Sequence, residues 1–332
     1  MTTWILVDKN LPPDKRAILC SCESFRKRAL MSGASDNVEE VIVHGIASVF
    51  CAQKYRRRGY AVRHMKEVAK VLRNWQSEHG KCVGSILYSD IGKQYYAKLG
   101  WHPDVNNFHL VFPPSKMDWP ALARQVVEGD LEELCHRDEA MIRAAMAAPN
   151  PEVQSRVTIL PDLDHMLWHI RKEDFASKCI FEKVPRVKGA IAGSPGKEVW
   201  AIWSHRYYGH PDGQAPDNVL YILRLVVEGD DTASKVVRYQ GKGTVAAVDT
   251  KQAASLKAVI QAAQAEASDW RLDHVKLWSP SPLVQSLLAQ NGFEYMEVER
   301  EEEAIASGMW DADGYTTAEA PVWLHNEHYA WC

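Results

Sequence analysis

The sequence predicts an α/β protein with a mixed sheet, followed by a second, degenerate α/β layer of the same kind. Three observations predict this. The chain of 332 residues is long for one compact core, so two domains are expected. Residues 39–51, "EEVIVHGIASVFC", form a β-branched run long enough for a buried strand, and an amphipathic helical pattern follows it. The order strand, helix, strand, helix, strand then recurs in the last third of the chain, as an internal duplication would leave it.

Taken in order, "TWILVDK" at 3–9 reads as a strand ending in a Pro-Pro turn. "RAILCSCESFRKRALM" reads as a second strand followed by a polar excursion. After residues 39–51, Ala61, Met65, Val68, Ala69 and Leu72 recur at helical spacing as far as Trp75. "CVGSILYS" is a short buried strand that the long helix places parallel to the preceding one. "IGKQYYAKLGW" is a short helix closed by Gly100, and "FHLVF" returns as the strand that completes the first layer. Pro113-Pro114 opens a connection with helices expected near 131–146 and 163–180. In the second layer "NVLYILRLVVE", "KQAASLKAVIQAAQAEA", "HVKLW", "PLVQSLLAQNGF" and "EYMEVER" repeat the order. The expected division is 1–112, 113–183 and 184–332.

Composition excludes several classes. Apolar residues make up 46% and charged residues 25%, as in ordinary soluble proteins, and the net charge is -4. A nucleic-acid binder would carry a broad basic face instead. No apolar run approaches membrane-spanning length, and "MTTWILVD" lacks the layout of a signal peptide. The 7 cysteines are scattered, odd in number and without a C-x-x-C pair, which fits reduced thiols in the cytoplasm.

Against this acidic background the stretch Tyr55 to Ala61, "YRRRGYA", is a local exception. It opens the long helix, whose first N–H groups lack intrahelical partners and carry a partial positive charge. Gly59 lets backbone approach a ligand closely, and successive amides from Arg57 through Arg58 and Tyr60 to Ala61 suit a pyrophosphate. The pattern is neither G-x-G-x-x-G nor G-x-x-x-x-G-K. Arg56-x-x-Gly59-x-Ala61 instead resembles the R/Q-x-x-G-x-G/A signature of the GNAT acetyltransferase superfamily, with "YYAKLGW" where that superfamily carries Y-x-x-x-G-F. The duplicated layer has no such loop, so one acetyl-CoA site is expected, in the first layer.

"EVIVHGIASVFCAQKYRRRGYA", "WQSEHGK", "LYSDIGKQYYAKLGW" and the ending "NEHYAWC" further resemble the fungal lysine acetyltransferases, which act on the side-chain amine of free lysine in lysine catabolism. The resemblance implies a GNAT fold with a second GNAT-like domain, acetyl-CoA as co-substrate, a small amine as partner and no metal. Another small amine, a polyamine or a protein lysine are the alternative acceptors, and a cofactor-binding protein without turnover is the non-enzyme alternative. Compared members carry a strand and helices ahead of the segment matching "TWILVD", so these elements are expected to be missing here.

The resemblance also implies roles. An amine with a pKa near ~10.4 must lose a proton before it attacks a thioester, the oxyanion needs donors, and the leaving thiolate benefits from an acid. Strand amides at Val49 and Cys51 are expected to hold the pantetheine arm, provided the next strand splays away. Tyr96 takes the place of the general acid, while its neighbour Tyr95 reads as core. Ser89 stands where many members place a cofactor-contacting asparagine. His44 is the first candidate base, with Glu39 and Glu40 behind it. The apolar ending predicts a buried tail, whose Cys332 carboxylate competes with His44 as base or amine anchor. "WSHRYYGH" supplies the acceptor candidates His205, Arg206 and Tyr207, and Arg206 or Arg224 suits an acceptor carboxylate. His165 and His169 share a helix face at metal-ligand spacing, but no cysteine or second histidine pair supports a metal there. The acidic run 299–303 reads as a solvated strand end.

Overall fold

The computed structural model describes residues 1–33, 37–214, 217–235, 249–310 and 320–332. In chain order, β1 (Thr2–Leu6), β2 (Cys20–Gly33) and β3 (Val38–Cys51) lead into helix α1 (Tyr60–Leu72). β4 (Cys82–Ser89), α2 (Gln94–Ala97), β5 (His102–Pro103), β6 (Phe108–Phe112) and β7 (Ala123–Val127) follow. Then come α3 (Leu131–Ala147), β8 (Ser155–Ile159), α4 (Leu163–Phe181), β9 (Val187–Ala192), β10 (Val199–Arg206) and β11 (Val219–Val227). The chain closes with α5 (Thr250–Asp269), β12 (His274–Trp278), α6 (Pro282–Asn291), β13 (Met296–Glu299), β14 (Ile305–Trp310) and β15 (Val322–Leu324).

Two mixed sheets result. The first has the order β15-β8-β2-β3-β4-β14-β5, with β1 also on β2, and the second β13-β6-β12-β11-β10-β9-β7. Each is built around one parallel pair, β3 with β4 and β11 with β12, all other pairings except β15 with β8 being antiparallel. Helix α1 covers the outer face of the first sheet through Met65, Val68 and Leu72. α5 and α6 cover the outer face of the second, the alanines of α5 letting it pack closely. Between the sheets Val43, Val83 and Val157 meet Trp200, Ile202 and Trp278, with α3, α4 and the C-terminal tail filling the layer.

Three local readings differ from the sequence. The long helix ends at Leu72, short of Trp75. β2 continues through the charged stretch Glu23 to Arg28, because strand alternation turns Arg26 out on one face and leaves Lys27 and Ala29 buried on the other. The third is larger: "FHLVF" (β6) does not complete the first sheet but lies between β12 and β13 in the second, and β14 from the second layer takes the place beside β4. At Gly84 of β4 a Cβ would sit 2.5 Å from the Met309 carbonyl oxygen and 2.9 Å from the Trp310 ring, so glycine is what lets β14 lie against β4 there. β6, buried at four of its five residues, needs a site covered on both faces. The loop expected to differ from the arginine loop, between Glu228 and the start of α5, lies largely outside the described residues. Among the described residues no helix is long and apolar enough to cross a membrane.

Candidate active site

The parallel pairing of β3 with β4 runs from Ile42 to Ile46 and stops there, opposite Leu87. β4 carries on alone against β14, through Tyr88 and Ser89. β3 stays paired to β2 on its other edge, with a register shift facing Ser48, whose φ of 54° lies in the left-handed region. Among the described residues, no strand pairs with residues 47–51 on the β4 side, and Val49 and Cys51 lie on that free edge. Backbone N–H groups left this way need a partner, from water or a ligand.

The strand ends against the arginine loop. Arg56 Nε donates to the Cys51 carbonyl (2.9 Å) and its guanidinium lies over Phe50, so Arg56 ties loop to strand. Arg57 and Arg58 are exposed. Gly59 caps α1 with φ 78°, and a Cβ there would meet nothing within 4 Å. Arg63 is the first residue to bond back, to the Gly59 carbonyl (3.0 Å). The preceding amides of Tyr60 and Ala61 therefore point out of the helix mouth.

Tyr96 belongs to the same apolar cluster as Cys22, Ile46, Met65 and Leu87, and Ile46 and Leu87 are the last pair before β3 and β4 part. Burial raises its phenol pKa further above the usual tyrosine range. Tyr95 meets it edge-on at 5.0 Å. Ser89 is engaged in its own turn: its hydroxyl donates to the Gly92 carbonyl (2.9 Å) and accepts from the Ile91 N–H (3.3 Å). His44 is fully buried on the α1 side of β3. Its Nε2 bonds the Trp75 carbonyl (3.1 Å), Nδ1 has no partner, and burial lowers its pKa. Glu40 is engaged with Arg28 and Arg143, and Glu39 is exposed.

On the opposite face of the same strand lies the C-terminal tail. Glu327 pairs with Arg224 and accepts the Leu225 N–H (2.8 Å), just past the point where β11 and β12 part at Ile222. The tail thus enters the splay of the second sheet. His169 Nε2 bonds the Tyr329 carbonyl (3.2 Å), and Tyr329 donates its hydroxyl to Ile159 (2.6 Å). Cys332 ends against β3, its Sγ 4.0 Å from the Ile46 carbonyl oxygen. Lys27, 4% exposed, reaches the same spot beside Gly45. Its only sequence signal is that it shares a strand face with Ala29 and Met31.

A cavity of about 40 Å³ opens beside the tail, lined among others by Lys172, Arg206, Tyr208, Tyr221, His328 and Trp331. Of the three acceptor candidates, Arg206 reaches the tail, 5.8 Å over the Trp331 ring. The His205 ring pairs with Glu173 (2.6 Å) and Glu266 (3.2 Å), carboxylates that outweigh its burial and raise its pKa to about 9. Tyr207 donates to the Trp270 carbonyl (2.9 Å) within the second core. Arg224 is engaged by Asp138 and Glu327. His165 bonds its own helix cap, Asp162 (2.7 Å), and among the described residues no group of three or more ligands suits a metal.

A parallel pair that parts beside a glycine-opened helix, with a buried tyrosine in the cluster at the parting, defines the class as the GCN5-related N-acetyltransferase (GNAT) fold. Residues 109–332 match the family described as the LYC1 GNAT-like C-terminal domain, and the chain belongs to that family. No curated protein sequence is significantly similar. Among solved structures, a GCN5-related N-acetyltransferase from Kribbella flavida is 17% identical with a TM-score of 0.44, over 88% of this chain and 56% of its own. Another from Anabaena variabilis is 12% identical (TM-score 0.43, 86% and 58%). The N-myristoyltransferase of Saccharomyces cerevisiae, solved with myristoyl-CoA, is 9% identical (TM-score 0.47, 90% and 65%). The chain thus spans little more than half the length of the first two.

Proposed function

We propose that this protein is an acetyl-CoA-dependent N-acetyltransferase that modifies the side-chain amine of free L-lysine, in the cytoplasm, as a step of lysine catabolism. One observation carries the reading: the free edge of β3 past Ile46 runs directly into the glycine-capped mouth of α1. Amides at the helix mouth suit the pyrophosphate, with Arg57 and Arg58 adding charge. Edge amides at Val49 and Cys51 suit the pantetheine arm, and donors on that edge lower the barrier by polarising the thioester carbonyl.

The amine approaches from the tail side of β3. Its nitrogen bonds to the acetyl carbon, the carbon–sulfur bond breaks, and the amine gives up a proton. Tyr96, held protonated by burial, supplies a proton to the departing thiolate. The base is assigned to the Cys332 carboxylate at the tail end or to the orphaned Nδ1 of His44; Cys332 lies on the face from which the amine comes. Lys172 and Arg206 favour an acceptor that carries a carboxylate over a polyamine, since like charges repel in a half-buried cavity.

An acceptor screen with purified protein tests the proposal. Thiol release from acetyl-CoA is expected with L-lysine, well above spermidine or a lysine-containing peptide. Preference for spermidine or the peptide, or acetyl-CoA binding without turnover on any amine, would overturn it.

A further inference from the structure

Three polar side chains from separate parts of the chain converge on Trp278. The Arg300 guanidinium lies 3.8 Å over its ring, and the rings of Tyr88 and His328 are 5.8 and 4.5 Å away. Arg300 Nε and Nη1, the Tyr88 hydroxyl and His328 Nδ1 are all buried without a hydrogen-bond partner among the described residues. Arg300 is 5% exposed, and among the described residues its side chain makes one bond, from Nη2 to Asn107 Oδ1 (3.1 Å). Asp104 and Glu299 act on it from beyond ion-pairing distance.

Other buried arginines of this fold are treated differently. Arg224 holds Asp138 through two bonds of 2.7 and 2.8 Å and also pairs with Glu327. Arg156 donates to three carbonyls. A buried cation costs heavily unless paired, whereas Lys172 and Arg206, both half-buried, keep part of their hydration. Among the buried arginines compared, Arg300 therefore has the strongest unmet demand for an anion.

We propose that Arg300, with Tyr88 and His328, receives the carboxylate of the amine acceptor. The proposal rests on the acetyltransferase reading and names the side chains that would recognise the acceptor's carboxylate. Position supports it. Tyr88 is the residue after Leu87, where β3 and β4 part, and it packs on the face turned to the second sheet. His328 stacks on Tyr221 at 3.9 Å, and both line the cavity beside the tail. Two guanidinium N–H groups, a phenol and an imidazole form a donor-rich set, which suits a carboxylate and suits an ammonium group poorly.

The test uses Arg300→Met and Arg300→Gln in the full chain, with L-lysine and 1,5-diaminopentane, its analogue without a carboxylate. Without ligand, Arg300→Met is expected to melt no lower than the native protein, because an unpaired buried charge is removed. By calorimetry both variants should bind L-lysine roughly tenfold or more weakly, with affinity for the diamine unchanged. The ratio of kcat/KM for L-lysine over the diamine should collapse in parallel. Equal losses for both amines with a lowered melting temperature would make Arg300 structural and overturn the proposal, as would unchanged L-lysine affinity or native protein that binds no L-lysine. Arg300-dependent L-lysine binding without acetyl transfer would keep this site and remove the transferase reading. Transfer to both amines with no preference would do the reverse.

Discussion

Gly45 is the point where the tail meets the sheet, and adding one methyl there probes the docking directly. In Gly45→Ala the new Cβ would lie 2.5 Å from Lys27 Cε, 2.9 Å from Cys332 Sγ and 3.4 Å from Lys27 Cδ. Gly45 is not left-handed, so the penalty is steric alone. A long side chain in solvent would swing aside, but Lys27 is 4% exposed, and Cys332 is held between it and the Ile46 carbonyl. Overpacking of this kind costs about 1–3 kcal/mol, which predicts a fall in melting temperature of a few degrees. The easier retreat is that of the tail, so kcat/KM for the acceptor should fall more than acetyl-CoA affinity, and carboxypeptidase should release Cys332 and Trp331 faster. Truncating the obstacle in Gly45→Ala/Lys27→Ala should recover part of the loss, with a coupling energy of roughly 1 kcal/mol in a double-mutant cycle. Native melting temperature and turnover in Gly45→Ala, or strict additivity in the double variant, would refute the reasoning.

Three further outcomes are expected. In Gly59→Trp, the left-handed φ of 78° costs about 1 kcal/mol, and open space around the Cβ leaves the fold intact; acetyl-CoA affinity should drop by roughly tenfold or more in calorimetry, and an unchanged value in folded protein would sink the phosphate role. Tyr96→Phe should lower kcat by a factor on the order of 10² with acetyl-CoA affinity little changed; a native turnover number would return Tyr96 to packing. His205 is protonated more readily in the folded state, its pKa raised to about 9 from 6.5 by Glu173 and Glu266. Its contribution is thus fully present below pH 6.5 and lost as pH rises through 9, a change of up to roughly 3 kcal/mol. Denaturant midpoints across that range should fall in the native protein and stay flatter in His205→Gln; parallel curves would contradict the assignment.

The sequence was most legible where the signal is local. The β-branched run before "YRRRGYA" and the helical spacing from Ala61 to Leu72 identify β3 and α1, because period and propensity act over neighbouring residues. The glycine at the helix mouth was readable for the same reason: its left-handed φ and the free N–H groups are properties of a few consecutive peptides. The apolar ending likewise pointed to a buried tail, and Tyr329 and Ala330 are fully buried.

Pairing at long range was not legible. β6 reads as the closing strand of the first layer and "EYMEVER" (β13) as that of the second, yet the two pair with each other in one sheet while β14 takes the place beside β4, an exchange that no sequence period encodes. Side-chain partners were equally hidden. His205, Arg206 and Tyr207 are consecutive, yet strand alternation and the packing of α4 and α5 send His205 to Glu173 and Glu266, Tyr207 to Trp270 and Arg206 towards the tail. Arg224 and Arg300 look alike as residues; among the described residues one meets two carboxylates and the other none within ion-pairing distance, because their neighbours come from α3, the tail and β4, many residues away. Local propensity and period thus set the elements and the loop at the mouth of α1. Which charges are paired, which strands are exchanged and what faces the tail were decided by tertiary packing, since steric fit and the cost of burying charge act between residues only after the chain has brought them together.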